Sequence, residues 1–183
     1  MHPFYAKAVV LAAAAAIAVI RAAETRARHA GKVATRRGGP MEAVALTGAV
    51  IGFVIPIVWV STSWIAFANY PLHSLPLAAG AVILTMGLWL FHRAHADLGR
   101  NWSARLQILE SHRLVTGGVY RLVRHPMYLS LMLYGLGQAA VVPNWIAGPA
   151  CLAGTALLFA LRVGPEERMM RERFGGQYEA YAA

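Results

Sequence analysis

Residues 43–68 read AVALTGAVIGFVIPIVWVSTSWIAFA, a run without one charged side chain. Wound as a helix rising about 1.5 Å per residue, it exceeds the ~30 Å hydrocarbon core of a bilayer. Apolar runs flank it. Phe4 to Ile20 is interrupted only by Lys7, Leu75 to about Phe91 is unbroken by charge, and Pro126 to Leu161 is uncharged but broken midway by Val142-Pro143-Asn144-Trp145. Over the 183 residues 58% are apolar and 14% charged, with mean hydropathy +0.49. A soluble domain carries about 25% charged residues. The fold class is therefore all-α, a polytopic integral membrane protein with about five transmembrane segments. Disordered, collagenous and disulfide-stapled classes are excluded, and Cys151, the one cysteine, has no internal partner.

The net charge of +9 and pI near 10.4 raise the question of nucleic acid. Sixteen of the seventeen Lys and Arg fall in blocks 21–37, 93–124 and 162–173, Lys7 being the exception. Blocks between hydrophobic runs obey the positive-inside rule, and none is interleaved with base-stacking aromatics, so no nucleic-acid partner is expected. Cleavage of the first segment as a signal peptide is the competing reading. Its cations follow the apolar run instead of preceding it, which favours a retained helix with an external N-terminus. The uncharged connector Asn69–Ser74 lies outside, with Trp59, Trp64 and Tyr70 in the outer aromatic belt. Gly48, Gly52 and Pro56 are read as helix packing and a kink.

Residues 1–183 thus form a single membrane domain. Residues 1–91 supply three N-terminal spans, with 22–40 a connector. Residues 92–183 hold a polar cytoplasmic segment 92–125, a hairpin 126–161 of two short helices of about 17 residues each, and a charged C-terminal interfacial helix from Arg162, with a break at Phe174-Gly175-Gly176. Alanine and arginine richness points to a bacterial inner membrane.

Chemistry-bearing residues collect on the cytoplasmic side in two clusters. One is His112-Arg113-Leu114-Val115-Thr116-Gly117-Gly118-Val119-Tyr120 with Arg124-His125-Pro126-Met127-Tyr128. The other is Arg162-Val163-Gly164-Pro165-Glu166-Glu167 with Phe174-Gly175, Tyr178 and Tyr181. His125 heads the hairpin and Arg162 ends it, so antiparallel helices bring both clusters to one face. Singly, each has a plain role: a glycine turn, a helix-starting proline, acids at a helix N-terminus. Together, ionisable groups at a membrane boundary are functional candidates. Gly135-Leu136-Gly137-Gln138-Ala139-Ala140 matches a dinucleotide fingerprint in form, yet it lies in an apolar run with no preceding strand and reads as helix packing. His92 and His95 lack a third ligand, so no metal site is expected.

The ordered motifs His112-x-Leu114-Val115-Thr116-x-Gly118-x-Tyr120, Arg124-His125-Pro126-x-Tyr128, Glu166-Glu167 and Phe174-Gly175-x-x-Tyr178-x-x-Tyr181 resemble the isoprenylcysteine carboxyl methyltransferase family, over about residues 98–181. Leu98-Gly99-Arg100-Asn101-Trp102-Ser103 resembles bacterial members, and membrane phospholipid methyltransferases share part of the pattern. The resemblance implies S-adenosyl-L-methionine bound at the cytosolic face. By carry-over, His112, Leu114, Val115, Gly118, Tyr120, His125, Pro126, Tyr128, Glu166 and Glu167 are the cofactor candidates. Arg162 and Glu167 are the catalytic candidates, with Arg162 facing an anionic substrate group. The sequence departs from the pattern at Ser130, where glycine is usual, and it stops soon after Tyr181.

The residue chemistry agrees with such a role. A sulfonium donor is already activated, so the protein mainly aligns nucleophile, methyl carbon and leaving sulfur. Glu166 and Glu167 offset the cofactor's charge, and Arg162 holds a carboxylate through paired hydrogen bonds. A lipophilic small-molecule or prenylated substrate enters from the bilayer, and carboxyl O-methylation of an isoprenylcysteine-like or isoprenoid acid is the leading class. The alternatives are phospholipid or amine N-methylation, an NADPH-dependent sterol-type membrane reductase, and a non-enzymatic scaffold.

Overall fold

The computed structural model describes residues 2–26, 33–36, 39–99, 107–109 and 113–183. The order is α1 (Phe4–Arg26), β1 (Val33–Arg36), α2 (Pro40–Ser61), α3 (Ser74–Leu98), β2 (Gln107–Leu109), α4 (Pro126–Val141), α5 (Ala147–Phe174) and α6 (Gly176–Ala182), with 3-10 turns at Ala66–Ala68 and Gly118–Arg121. Among the described residues, α1, α2, α3 and α5 are long and apolar enough to cross a membrane. The 16 residues of α4 span only about 24 Å. The polytopic helical class stands, joined by one small ribbon: β1 pairs antiparallel with β2, with Val33 opposite Leu109 and Arg36 opposite Gln107. It ties the α1–α2 connector to the α3–α4 connector, so both lie at the same end of the bundle.

Two antiparallel pairs organise the bundle, α2 with α5 and α3 with α4. On α2 the buried positions Glu42, Ala45, Ala49, Gly52, Pro56 and Trp59 fall three or four apart and form one stripe. That stripe meets α5 so closely that a Cβ on Gly52 would stand 2.6 Å from the Ala150 carbonyl oxygen, and one on Gly154 equally close to that of Gly48. Helices without a hydrophobic drive between them associate through such small-residue contacts. The Gly135–Ala140 run is likewise packing, with Gly135 against Leu152 and Gly137 against Leu84. Pro56 lies inside α2, which continues unbroken to Ser61.

Three sequence expectations change. Only the first hairpin helix is short: α5 runs on through Pro165 to Phe174, so the segment from Arg162 is not a separate interfacial helix but the continuation of a span. Proline there removes one backbone donor and the helix tolerates it. The break expected at Phe174-Gly175-Gly176 stands: Gly175, with φ +51°, caps α6, which begins at Gly176. Trp59 is buried, not part of an aromatic belt, because the α2 stripe carries it inward, where its indole N–H donates to Asn69 Oδ1 at 2.8 Å.

The opposite end is closed by polar contacts. Asn144 donates through Nδ2 to Asn69 Oδ1 (2.8 Å) and the Ile65 carbonyl (2.7 Å), and its Oδ1 accepts from the Ala147 N–H at the start of α5. Lys7 of α1 donates to the Val60 carbonyl at 3.0 Å, meeting the negative end of the α2 dipole.

Candidate active site

At the ribbon end, α5 projects beyond its uncharged part, 147–161, and carries Arg162, Glu166 and Glu167 past the start of α4. Continuous helix places Arg162 and Glu166 four residues apart on one face. Arg162 Nη2 lies 3.1 Å from Glu166 Oε1, which also accepts from the Tyr128 hydroxyl at 2.6 Å. Arg162 is buried, with its side chain 8% exposed. Tyr128 packs edge-on against Phe159, ring centres 5.5 Å apart, and 5.9 Å from the His125 ring.

Glu167 is rotated about 100° around the helix from Glu166 and has its own partners. With Glu167 ionised, His125 Nε2–H donates to Oε1 at 2.7 Å. Arg171 Nη2 stands 3.2 Å and Arg124 Nη1 3.7 Å from Oε2. Partial burial pushes the Glu167 carboxyl pKa up, but hydrogen bonds from His125 and Tyr178 outweigh it and hold the group below its ordinary range. Burial, reinforced by that hydrogen bond to Glu167, pushes the Tyr178 phenol up, so it stays protonated as a donor. Arg162 and Glu167, five residues and about 140° apart on one continuous helix, thus belong to two separate bond sets.

Leu114 and Val115, half-buried, lie in the extended run that leads into the Gly118–Arg121 turn. Gly118 has φ +60°, and a Cβ there would collide with the Asp97 carboxylate of α3. Asp97 Oδ2 accepts the Val119 N–H at 2.9 Å, while Arg93 holds Oδ1 at 3.0 Å. Tyr120 is buried, its hydroxyl donating to the Ala94 carbonyl at 3.3 Å. Its carbonyl accepts the Tyr181 hydroxyl at 2.6 Å, so α6 is latched to the turn. Pro126 is buried at the first position of α4. His112 lies outside the described residues.

The structure thus joins His125 to Glu167 and Tyr128 to Glu166 and Arg162. It holds Gly118 and Tyr120 in a neighbouring turn fixed by α3 and α6. Sequence reasoning missed Asp97, whose only signal was an acid four residues after Arg93 at the end of an apolar run. It also missed Glu42, an acid heading the uncharged run of α2. His92 and His95 do not converge: His95 is buried with Nδ1 2.8 Å from the Phe91 carbonyl, and His92 is exposed. Ser130, in the glycine position, satisfies its buried hydroxyl on the Met127 carbonyl at 2.6 Å.

The model of the isoprenylcysteine carboxyl methyltransferase family matches residues 77–172, which include every one of these ion pairs. The chain belongs to this family. A probable protein-S-isoprenylcysteine O-methyltransferase of Oryza sativa subsp. indica is 31% identical over 105 residues, 56% of this chain and 55% of that protein. Protein-S-isoprenylcysteine O-methyltransferase B of Arabidopsis thaliana is 32% identical over 105 residues, 56% of this chain and 53% of its own. The Tribolium castaneum protein-S-isoprenylcysteine O-methyltransferase is 32% identical over 104 residues, 56% of this chain and 37% of its own. The chain spans about half the length of the curated plant relatives it matches. Family membership rests on α3 to α5, the elements that carry the site, while α1 and α2 lie outside the match.

Proposed function

We propose that this family member transfers a methyl group from S-adenosyl-L-methionine to the carboxylate of an isoprenylcysteine-like or isoprenoid acid, at the cytosolic face of a bacterial inner membrane. The observation that carries the reading is the pairing of Glu166 and Glu167 with Tyr128 and His125 across the α4–α5 junction, beside an apolar bundle. The donor set suits the cofactor: half-buried carboxylates and adjoining aromatic rings favour a sulfonium cation. When bound, the cofactor supplies an already activated methyl group.

What the chain contributes is charge and position. Glu167, held ionised by three cationic or potentially cationic neighbours, fixes His125 at the head of α4. Glu166 accepts from Tyr128 and orients Arg162, whose planar guanidinium matches a carboxylate at two points. A carboxylate nucleophile is ionised at neutral pH, so no general base is required and alignment is the main demand. The apolar faces of the bundle admit an isoprenoid tail from the bilayer.

The test uses purified protein in detergent with methyl-labelled S-adenosyl-L-methionine and an S-farnesyl thioether bearing a free carboxylate. The expected product is a base-labile methyl ester, with S-adenosylhomocysteine raising the melting temperature. Stabilisation by NADPH in place of S-adenosylhomocysteine would overturn the reading in favour of a reductase.

A further inference from the structure

Glu42 belongs to neither the family match nor any motif read from the sequence, yet it is 7% exposed and stands at the end of the α2 stripe that faces α5. The antiparallel register is fixed by two contacts, Gly52 against Ala150 and Cys151, and Gly48 against Gly154. Glu42 precedes Gly48 by six residues, about 9 Å along the axis. Six residues beyond Gly154 on α5 is Ala160, within one turn of Arg162. Arg162 occupies the buried α5 face continued from Cys151, Gly154, Thr155 and Leu158. One turn along from Glu42, Ala45 packs in a cluster with Tyr128 and Leu158. Tyr128 donates to Glu166, which pairs with Arg162, so the cluster that Ala45 joins borders that network. The buried end of α2 therefore carries Glu42, a second carboxyl group besides Glu166, to the level of Arg162 on α5.

We propose that Glu42 is a specificity-determining residue, a fixed carboxylate that competes with an acceptor carboxylate for Arg162 and so sets how strongly the site prefers anionic over cationic head groups. The proposal rests on the reading of Arg162 as the group that faces the acceptor. Glu166 and Glu42 offer Arg162 two carboxyl partners, so an acidic head group has to displace one of them, whereas an ammonium head group gains them as partners. Glu42→Gln keeps size and hydrogen-bonding capacity and removes only the charge. Glu42→Asp keeps the charge.

The experiment measures equilibrium binding of two probes to the full chain in detergent: an S-farnesyl thioether ending in a carboxylate, and the same thioether ending in a primary amine. Methyl transfer to each is followed on the same samples. For E42Q the ratio of the two dissociation constants should move about tenfold toward the carboxylate, with S-adenosylhomocysteine affinity unchanged. E42D should keep the wild-type ratio. A purely structural Glu42 lowers the melting temperature of E42Q and leaves the ratio alone, which would overturn the proposal, as would failure of both probes to bind wild-type protein. Binding with the expected shift, but no methylation of the carboxylate probe by wild type, defeats the proposed reaction and leaves the role of Glu42 intact.

Discussion

At the scale of single residues, the neighbouring acids on α5 have different tasks because a 100° step sends them to different partners. Glu167 is surrounded by His125, Arg124, Arg171 and Tyr178, and its lowered pKa makes it a stabiliser with a definite pH signature. A carboxyl depressed in the folded state contributes stability that is fully present above its unfolded value, about 4.3, and is lost as pH falls through the folded value. The melting-temperature gap between wild type and Glu167→Gln should accordingly be widest near pH 6 and close toward pH 3; a gap independent of pH would remove the charge from the account. His125→Ala deletes the 2.7 Å partner of Glu167. We expect S-adenosylhomocysteine to bind 5- to 150-fold more weakly to it, about 1–3 kcal/mol, in calorimetry on folded protein. Arg162→Lys should raise KM for an acidic acceptor far more than it changes cofactor affinity, because an ammonium cannot reproduce a two-point contact. Equal KM values would end the assignment of Arg162 to the acceptor.

At the scale of elements, the turn before α4 depends on a glycine that two separate constraints demand. Gly118 combines positive φ with contact against Asp97, whose carboxylate also takes the Val119 N–H. Gly118→Ala should cost about 1–3 kcal/mol of stability and weaken cofactor binding together, read as a lower melting temperature and a larger Kd for S-adenosylhomocysteine. Asp97→Asn, with less charge to hold the loop, should weaken binding in the same direction but less. The bundle's helices were legible because length and lack of charge in residues 43–68 leave few alternatives in a bilayer, and the Gly175 break was legible from Phe174-Gly175-Gly176. The continuity of α5 was not, because Gly164-Pro165 after a charged residue looks like a helix boundary, and only packing against α2 and α4 overrides it. The α4–α5 convergence of His125 with Glu167 followed from span lengths. The inward turn of Trp59 and the part played by Asp97 depend on which face each helix buries, which an almost uniformly apolar span does not encode.

At the scale of the whole molecule, orientation follows from which end of the bundle carries charge. The β1–β2 ribbon, the Gly118–Arg121 turn and the charged extension of α5 gather at one end. The Asn69–Asn144 contacts and the Lys7–Val60 bond close the other. Among the described residues the basic side chains from Arg93 to Arg173 belong to the first end, and Lys7 at the second is already held by a helix carbonyl. Under the positive-inside rule we expect the site end to face the cytosol and Ser74, at the start of α3, to lie outside. Cys151 is fully buried and gives a quiet background for labelling. In intact cells, Ser74→Cys should react with a membrane-impermeant maleimide, whereas Gln177→Cys in α6 should react only after the membrane is opened. Reaction of both from the same side would mean that α3, α4 and α5 do not cross in an odd number. The short α4 would then turn back within the bilayer instead of traversing it, and the arrangement of the site relative to the cofactor's cytosolic source would have to be redrawn.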